Sequence, residues 1–136
     1  MRIAVGSDEA TDLVTALVRH LEAHGHEVTS PVPLGDPWPE VGRAVAEAVA
    51  SGAADRGVVC CWTGTGVSIA ANKVRGARAA LCADAETAQG ARRWNDANVL
   101  ALSLRSTDDV AGIAILDAFL ATEPDDGELE AIARLE

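Results

Sequence analysis

The chain has 136 residues, enough for one domain with a substantial core, and its 49% hydrophobic content excludes a disordered protein. Eleven basic residues against 21 acidic ones leave a net charge of −10 and a pI near 4.6. That balance excludes nucleic acid and anionic membrane surfaces as partners, because both select basic surface.

No stretch approaches the roughly 20 apolar residues of a membrane helix. The apolar run after Met1 is too short for a signal peptide. The cysteines are Cys60, Cys61 and Cys82, an odd number with two adjacent, which does not suit a disulfide framework. The reading is a reduced, cytoplasmic protein. Four aromatic side chains are present, Trp38, Trp62, Trp94 and Phe119, so Ala, Val, Leu and Ile must build the core.

In chain order, Arg2 to Gly6 reads as a buried strand. Leu13, Ala16, Leu17 and Leu21 then follow helical spacing, which stops at Gly25, a suitable helix terminator. His26 to Thr29 can form a second strand. Ser30 to Pro39 holds four prolines and a glycine, so it is a loop. Val41 to Ala50 is helical and Arg56 to Cys61 is a third strand. Thr63 to Ser68 is a glycine-rich loop, and Ile69 to Lys73 looks helical. Ala77 to Cys82 is a fourth strand, Ala85 to Arg93 a helix, Val99 to Leu104 a fifth strand and Asp108 to Leu120 a helix. The alternation, with continuously apolar strands, predicts an α/β fold: a five-stranded parallel sheet between two helical layers, a three-layer α/β/α sandwich. Ligands of such sheets bind at the carboxyl ends of the strands.

Residues 1–122 carry this pattern. Residues 123–136 form an acidic C-terminal tail of the same domain, with six acids and one base. Within it, Glu128 to Leu135 can form a short helix that packs through Leu129, Ile132 and Leu135. His20, His24 and His26 lie far from the strand carboxyl ends and read as surface residues. Arg92 and Arg93 end a helix, where cations complement the dipole; the alternative is an anion contact.

The segment Cys61-Trp62-Thr63-Gly64-Thr65-Gly66-Val67-Ser68 carries the most chemistry. It follows a buried strand and opens a helix. Glycines expose backbone N–H groups, which together with a helix start can cradle an anion. The spacing fits neither a P-loop nor a dinucleotide fingerprint. A thiol at the strand end beside such a cradle can serve as base for a carbon acid, with the cradle holding the enediolate as charge develops. Cys60, on the opposite face of the strand, reads as a small core residue. The same bland role is the alternative for Cys61.

The run Cys61 to Lys73 resembles the signature of the ribose-5-phosphate isomerase B and galactose-6-phosphate isomerase family. Gly6-Ser7-Asp8, Trp38-Pro39-Glu40 and Asn95-Asp96-Ala97-Asn98-Val99-Leu100 are similar to its other motifs, and the likeness extends from Met1 to about Leu120. The resemblance implies a Rossmann-like fold and a homodimer with active sites between subunits. It implies no metal or organic cofactor, and interconversion of aldose and ketose sugar phosphates through an enediolate. By position it makes Cys61 the base between C1 and C2 and puts Thr63 on the reacting oxygens. The backbone of Gly64, Thr65, Gly66, Val67 and Ser68 becomes the anion hole. Asp8 and Asn95 become sugar contacts, and Arg105 a phosphate contact.

The chain also departs from that family. Glu9 and Trp94 stand where the family has histidines, the second of which helps to open the sugar ring. Glu9 is the candidate replacement acid/base, the alternative being a simply exposed residue. Trp94 with Trp62 is a platform for a sugar face, the alternative being filler of the dimer interface. Trp62 replaces a glycine. Acidic residues of the tail replace an arginine-rich segment that grips phosphate. The expected activity is therefore aldose–ketose isomerisation with a substrate altered relative to ribose 5-phosphate. The alternative is a non-catalytic sugar-binding or regulatory relative that works beside an active paralogue.

Overall fold

The computed structural model describes residues 1–136. Five strands, β1 (Arg2–Ser7), β2 (Glu27–Thr29), β3 (Arg56–Cys61), β4 (Ala79–Leu81) and β5 (Val99–Ser103), form one parallel sheet in the order β2-β1-β3-β5-β4. The helices are α1 (Asp12–Ala23), α2 (Trp38–Ala50), α3 (Thr65–Asn72), α4 (Ala85–Asn95), α5 (Asp109–Ala121) and α6 (Leu129–Ala133). Right-handed crossovers set the layers. Helix α2 packs on α3 over one face of the sheet, while α1 and α4 pack on α5 over the other. No helix is long and apolar enough to cross a membrane.

The alternation of side chains along each strand divides the core in two. Val58, Cys60, Leu100 and Leu102 join the α1, α4 and α5 side around Phe119; Val59, Cys61, Val99 and Ala101 join the α2 and α3 side. Side-chain oxygens of Thr11, Asp84 and Asp108 accept from backbone N–H groups in the first turns of α1, α4 and α5, so the chain turns into these helices directly after a loop.

The elements match the predicted order, with three shifts of boundary. Helix α3 begins at Thr65, so most of the expected glycine-rich loop is its first turn. Helix α2 begins at Trp38, with Pro39 in its first turn, where the missing N–H costs nothing. Strand β4 is shorter than expected because Ala77 and Arg78 lie in a turn whose backbone is tied to Asn98.

The tail makes a 3-10 turn over Asp126–Glu128 and then α6. Ile132 is half-buried, whereas Leu129 and Leu135 are exposed, so the expected three-residue apolar face does not form. Polar contacts hold the segment instead. The Asp125 N–H donates to Arg93 O at 2.8 Å, and Glu136 meets Arg78.

Arg92 is neither a surface dipole complement nor an available anion contact. It is 1% exposed. Its Nη1 donates to Asp96 Oδ1 (2.7 Å) and Ala97 O (2.6 Å), its Nε donates to Thr122 O (3.0 Å), and the guanidinium lies over the Phe119 ring. It ties the end of α4 to the segment after α5. Arg93 is the exposed member of the pair, with Nε 3.8 Å from Asp125 Oδ1.

Candidate active site

The carboxyl ends of β1, β3 and β5 lie side by side, with Ser7 paired to Cys60 and Cys61 to Ser103. Cys61 ends β3 and is 5% exposed. Its carbonyl accepts from the N–H of Leu104 (2.9 Å) and of Gly64 (3.2 Å), which folds the chain back sharply into α3. Gly64 sits at φ +75°, and a Cβ there would come within 2.5 Å of Leu81 Cδ1 and 2.9 Å of the Leu102 carbonyl carbon. Both the left-handed backbone and the neighbouring main chain require glycine. Gly64→Ala is expected to cost about 2–5 kcal/mol from backbone strain and overpacking. Urea denaturation checks this, and a loss below about 1 kcal/mol would contradict it.

The backbone N–H groups of Thr65, Gly66 and Val67 have no acceptor in the protein, as expected of a first helical turn. Gly66 is covered by the Trp38 ring, which would lie 2.9 Å from a Cβ at that position. The bare backbone of Gly66 therefore brings α2 and α3 together beside the N–H cluster. The Val67 side chain is fully buried, so Val67 can offer a ligand only its N–H. The Thr63 and Thr65 hydroxyls share a hydrogen bond of 2.6 Å, and Ser68 is half-buried in the same turn.

Asp8 follows β1, and its N–H donates to Cys60 O at 3.3 Å. Burial, and then the charge of Glu9, push its carboxyl above the usual aspartate range. Glu9 is exposed, while Ser7 Oγ donates to its carbonyl (2.7 Å) and fixes its backbone. Arg105 is exposed, its N–H donating to Trp62 O at 3.0 Å. With Thr63 and Ser103 it lines a cleft of about 280 Å³. Cys60 faces the other core half, where burial pushes its thiol up to about 12.

Asp8, Glu9, Cys61, Thr63, the Gly64–Ser68 backbone and Arg105 thus gather at one end of the sheet. Trp94 and Asn95 do not join them within one chain. Helix α4 runs against the strands and ends near the start of β5, where Val99 pairs with Gly57. From there to the Cys61–Ser103 pair is four residues, roughly 13 Å of strand. Trp94 lies back over Gly90, one turn earlier in α4. The three histidines also sit away from Cys61, at the far end of α1, where His20 Nε2 meets Asp117 Oδ1 at 2.6 Å. The covering role of Trp38 is not legible in the sequence. Its signal is the Trp-Pro pair at a helix start, but nothing local says which helix the ring meets.

A thiol at a strand end, next to the unpaired N–H groups of a helix start, is an arrangement that can take a proton from carbon and hold the resulting oxyanion. Comparison with known proteins specifies the class. The sequence pattern of the ribose/galactose isomerase family matches residues 3–135. D-erythrulose-4-phosphate isomerase of Pectobacterium atrosepticum is 39% identical, over 93% of this chain and 87% of its own length. Ribose-5-phosphate isomerase B of Escherichia coli is 36% identical, over 99% and 96%. The ribose-5-phosphate isomerase B structure of Clostridium thermocellum superposes with a TM-score of 0.93 at 37% identity, covering 99% of this chain and 95% of that one. The chain belongs to the ribose/galactose isomerase family and is an enzyme of the aldose–ketose isomerase class.

Proposed function

We propose that Cys61 is the base of an aldose–ketose isomerisation. In the open-chain aldose, the Cys61 thiolate takes the proton from C2. The electron pair forms the C1–C2 double bond, and the C1 carbonyl oxygen becomes an oxyanion. The N–H groups of Thr65, Gly66 and Val67 hold that oxyanion, with Thr63 Oγ1 on the reacting oxygens. Glu9 carries the hydroxyl proton from O2 to O1, and the thiol returns its proton at C1. Asp8 binds a sugar hydroxyl and Arg105 an anionic substituent. The observation that carries this reading is the juxtaposition of the Cys61 strand end with three unpaired N–H groups.

The substrate is a sugar or sugar phosphate other than ribose 5-phosphate. The reaction runs in the cytoplasm without a metal or organic cofactor, and no nucleic acid takes part. The names of the relatives support a sugar-phosphate substrate class. A panel of three- to six-carbon aldoses and ketoses, free and phosphorylated, followed by carbon-13 NMR, tests the reading. Interconversion of at least one aldose–ketose pair is expected, and inertness across the panel would contradict it.

Because Trp94 and Asn95 lie at the opposite end of the sheet, the full site needs a second copy that brings them to Cys61. The working unit is a homodimer. Light scattering is expected to give twice the 14.0 kDa chain mass. A single-chain mass at micromolar concentration would contradict the shared site.

A further inference from the structure

A cleft larger than the one at Thr63 and Arg105 lies away from Cys61. A cleft of about 820 Å³ opens between the end of α3 and the amino ends of β4 and β5, and Lys73, Arg75, Gly76, Arg78, Asn95 and Glu136 lie on its walls. A chain of net charge −10 has placed three of its eleven basic side chains here.

The turn that carries them is held firmly. Asn98 Nδ2 donates to Gly76 O at 2.9 Å, and Asn98 Oδ1 accepts from the Arg78 N–H at 2.7 Å. Arg78 is aimed by Asp96, with Nε donating to its carbonyl (2.8 Å) and Nη2 to its carboxylate (3.1 Å). That carboxylate is shared with Arg92, at 2.7 Å. Arg92 has a second carboxylate, Glu123, at 3.8 Å, and the unpaired positive charge beside the cleft is that of Lys73 and Arg75.

The chain sets one of its own anions in this cleft. Glu136 Oε1 accepts from Arg78 Nη1 at 3.2 Å, and Glu136 Oε2 accepts from the Gly76 N–H at 3.3 Å. A guanidinium and a backbone N–H, both fixed by other bonds, thus hold the two oxygens of one carboxylate. Lys73 and Arg75 are exposed and make no ion pair.

We propose that this cleft binds a phosphoryl group, with the Glu136 carboxylate as an internal occupant that the ligand displaces. A phosphoryl group offers three oxygens and nearly two charges, where the carboxylate offers two oxygens and one charge. Gly76 N–H and Arg78 take the oxygens that Glu136 now supplies, and Lys73 and Arg75 meet the additional charge. The volume suits a small phosphorylated molecule. Asn95, which the second copy carries to Cys61, is the one wall residue shared with the proposed isomerase site; Lys73, Arg75, Gly76, Arg78 and Glu136 have no part in the proton transfer at Cys61.

Inorganic phosphate is the probe. It is titrated into the nitrogen-15-labelled full chain at constant ionic strength, set with chloride, and the Gly76 amide signal is followed. The signal is expected to move and saturate. Glu136→Gln keeps the shape and removes the competing charge, so phosphate should bind about fivefold more tightly. Arg75→Ala in the Glu136→Gln protein should weaken binding again by a similar factor, and neither exposed substitution disturbs the turn. A Gly76 signal unmoved by phosphate in Glu136→Gln overturns the proposal. So does equal affinity with and without Glu136, or the same shift with chloride alone.

Discussion

Cys61→Ala is expected to leave a folded protein that has lost isomerase turnover by a factor of about a thousand or more. Removing a positioned base costs about 10²–10⁴ in rate. No other group stands at the end of β3 to take its place: Cys60 faces the opposite core half, and burial holds its thiol near 12. The neighbouring substitution Cys60→Ala should spare kcat and lower stability by about 1 kcal/mol, as a small core truncation does. Steady-state kinetics and urea denaturation on both variants separate the two roles. Full turnover in Cys61→Ala would remove the thiol from the mechanism.

Ribose 5-phosphate is expected to be a poor substrate, by about a thousandfold in affinity relative to what an arginine-lined phosphate site provides. Where the family resemblance places an arginine-rich segment, this chain has Asp126, Glu128 and Glu130. Each missing charge-assisted hydrogen bond costs about 1.5–3 kcal/mol, and repulsion between a phosphate and a nearby carboxylate adds about 1 kcal/mol. Two missing bonds of this kind reach the thousandfold range. The arginines of α4 do not compensate. Arg92 is 1% exposed, with Nε and Nη1 bonded within the protein and Nη2 buried, and Arg93 lies against Asp125. Arg105 remains as the one arginine of the cleft lined by Thr63 and Ser103. Efficient steady-state use of ribose 5-phosphate would contradict this account of the acidic tail.

Strands β1, β3 and β5 are legible in the sequence because parallel strands buried on both faces read as apolar runs, and the less buried edge strands β2 and β4 because they complete the alternation with helices. The Cys61 end of the site is legible for a related reason. Strand end, glycine turn and helix start are contiguous in sequence, so local rules suffice. Boundaries fail where tertiary contacts decide them. The helix beginning at Thr65 depends on Gly64 adopting a left-handed conformation against Leu102 and Leu81, which no local pattern announces. The role of Arg92 is hidden because its partners, Thr122 O and the Phe119 ring, lie about thirty residues away in the chain. Trp94 and Asn95 are grouped with Cys61 by resemblance, whereas in one chain the direction of α4 carries them to the other end of the sheet.

The central claim is that the protein moves a proton at carbon next to a carbonyl, and solvent exchange reads that step directly. The wild-type protein is incubated in deuterium oxide with the aldose–ketose pair that the substrate panel identifies, and deuterium at C2 of the aldose and C1 of the ketose is followed by NMR. Deuterium is expected to enter both positions as the sugars interconvert, and not to enter with Cys61→Ala. Interconversion with no deuterium incorporated would point to direct hydride transfer between C1 and C2 and would contradict the enediolate reading.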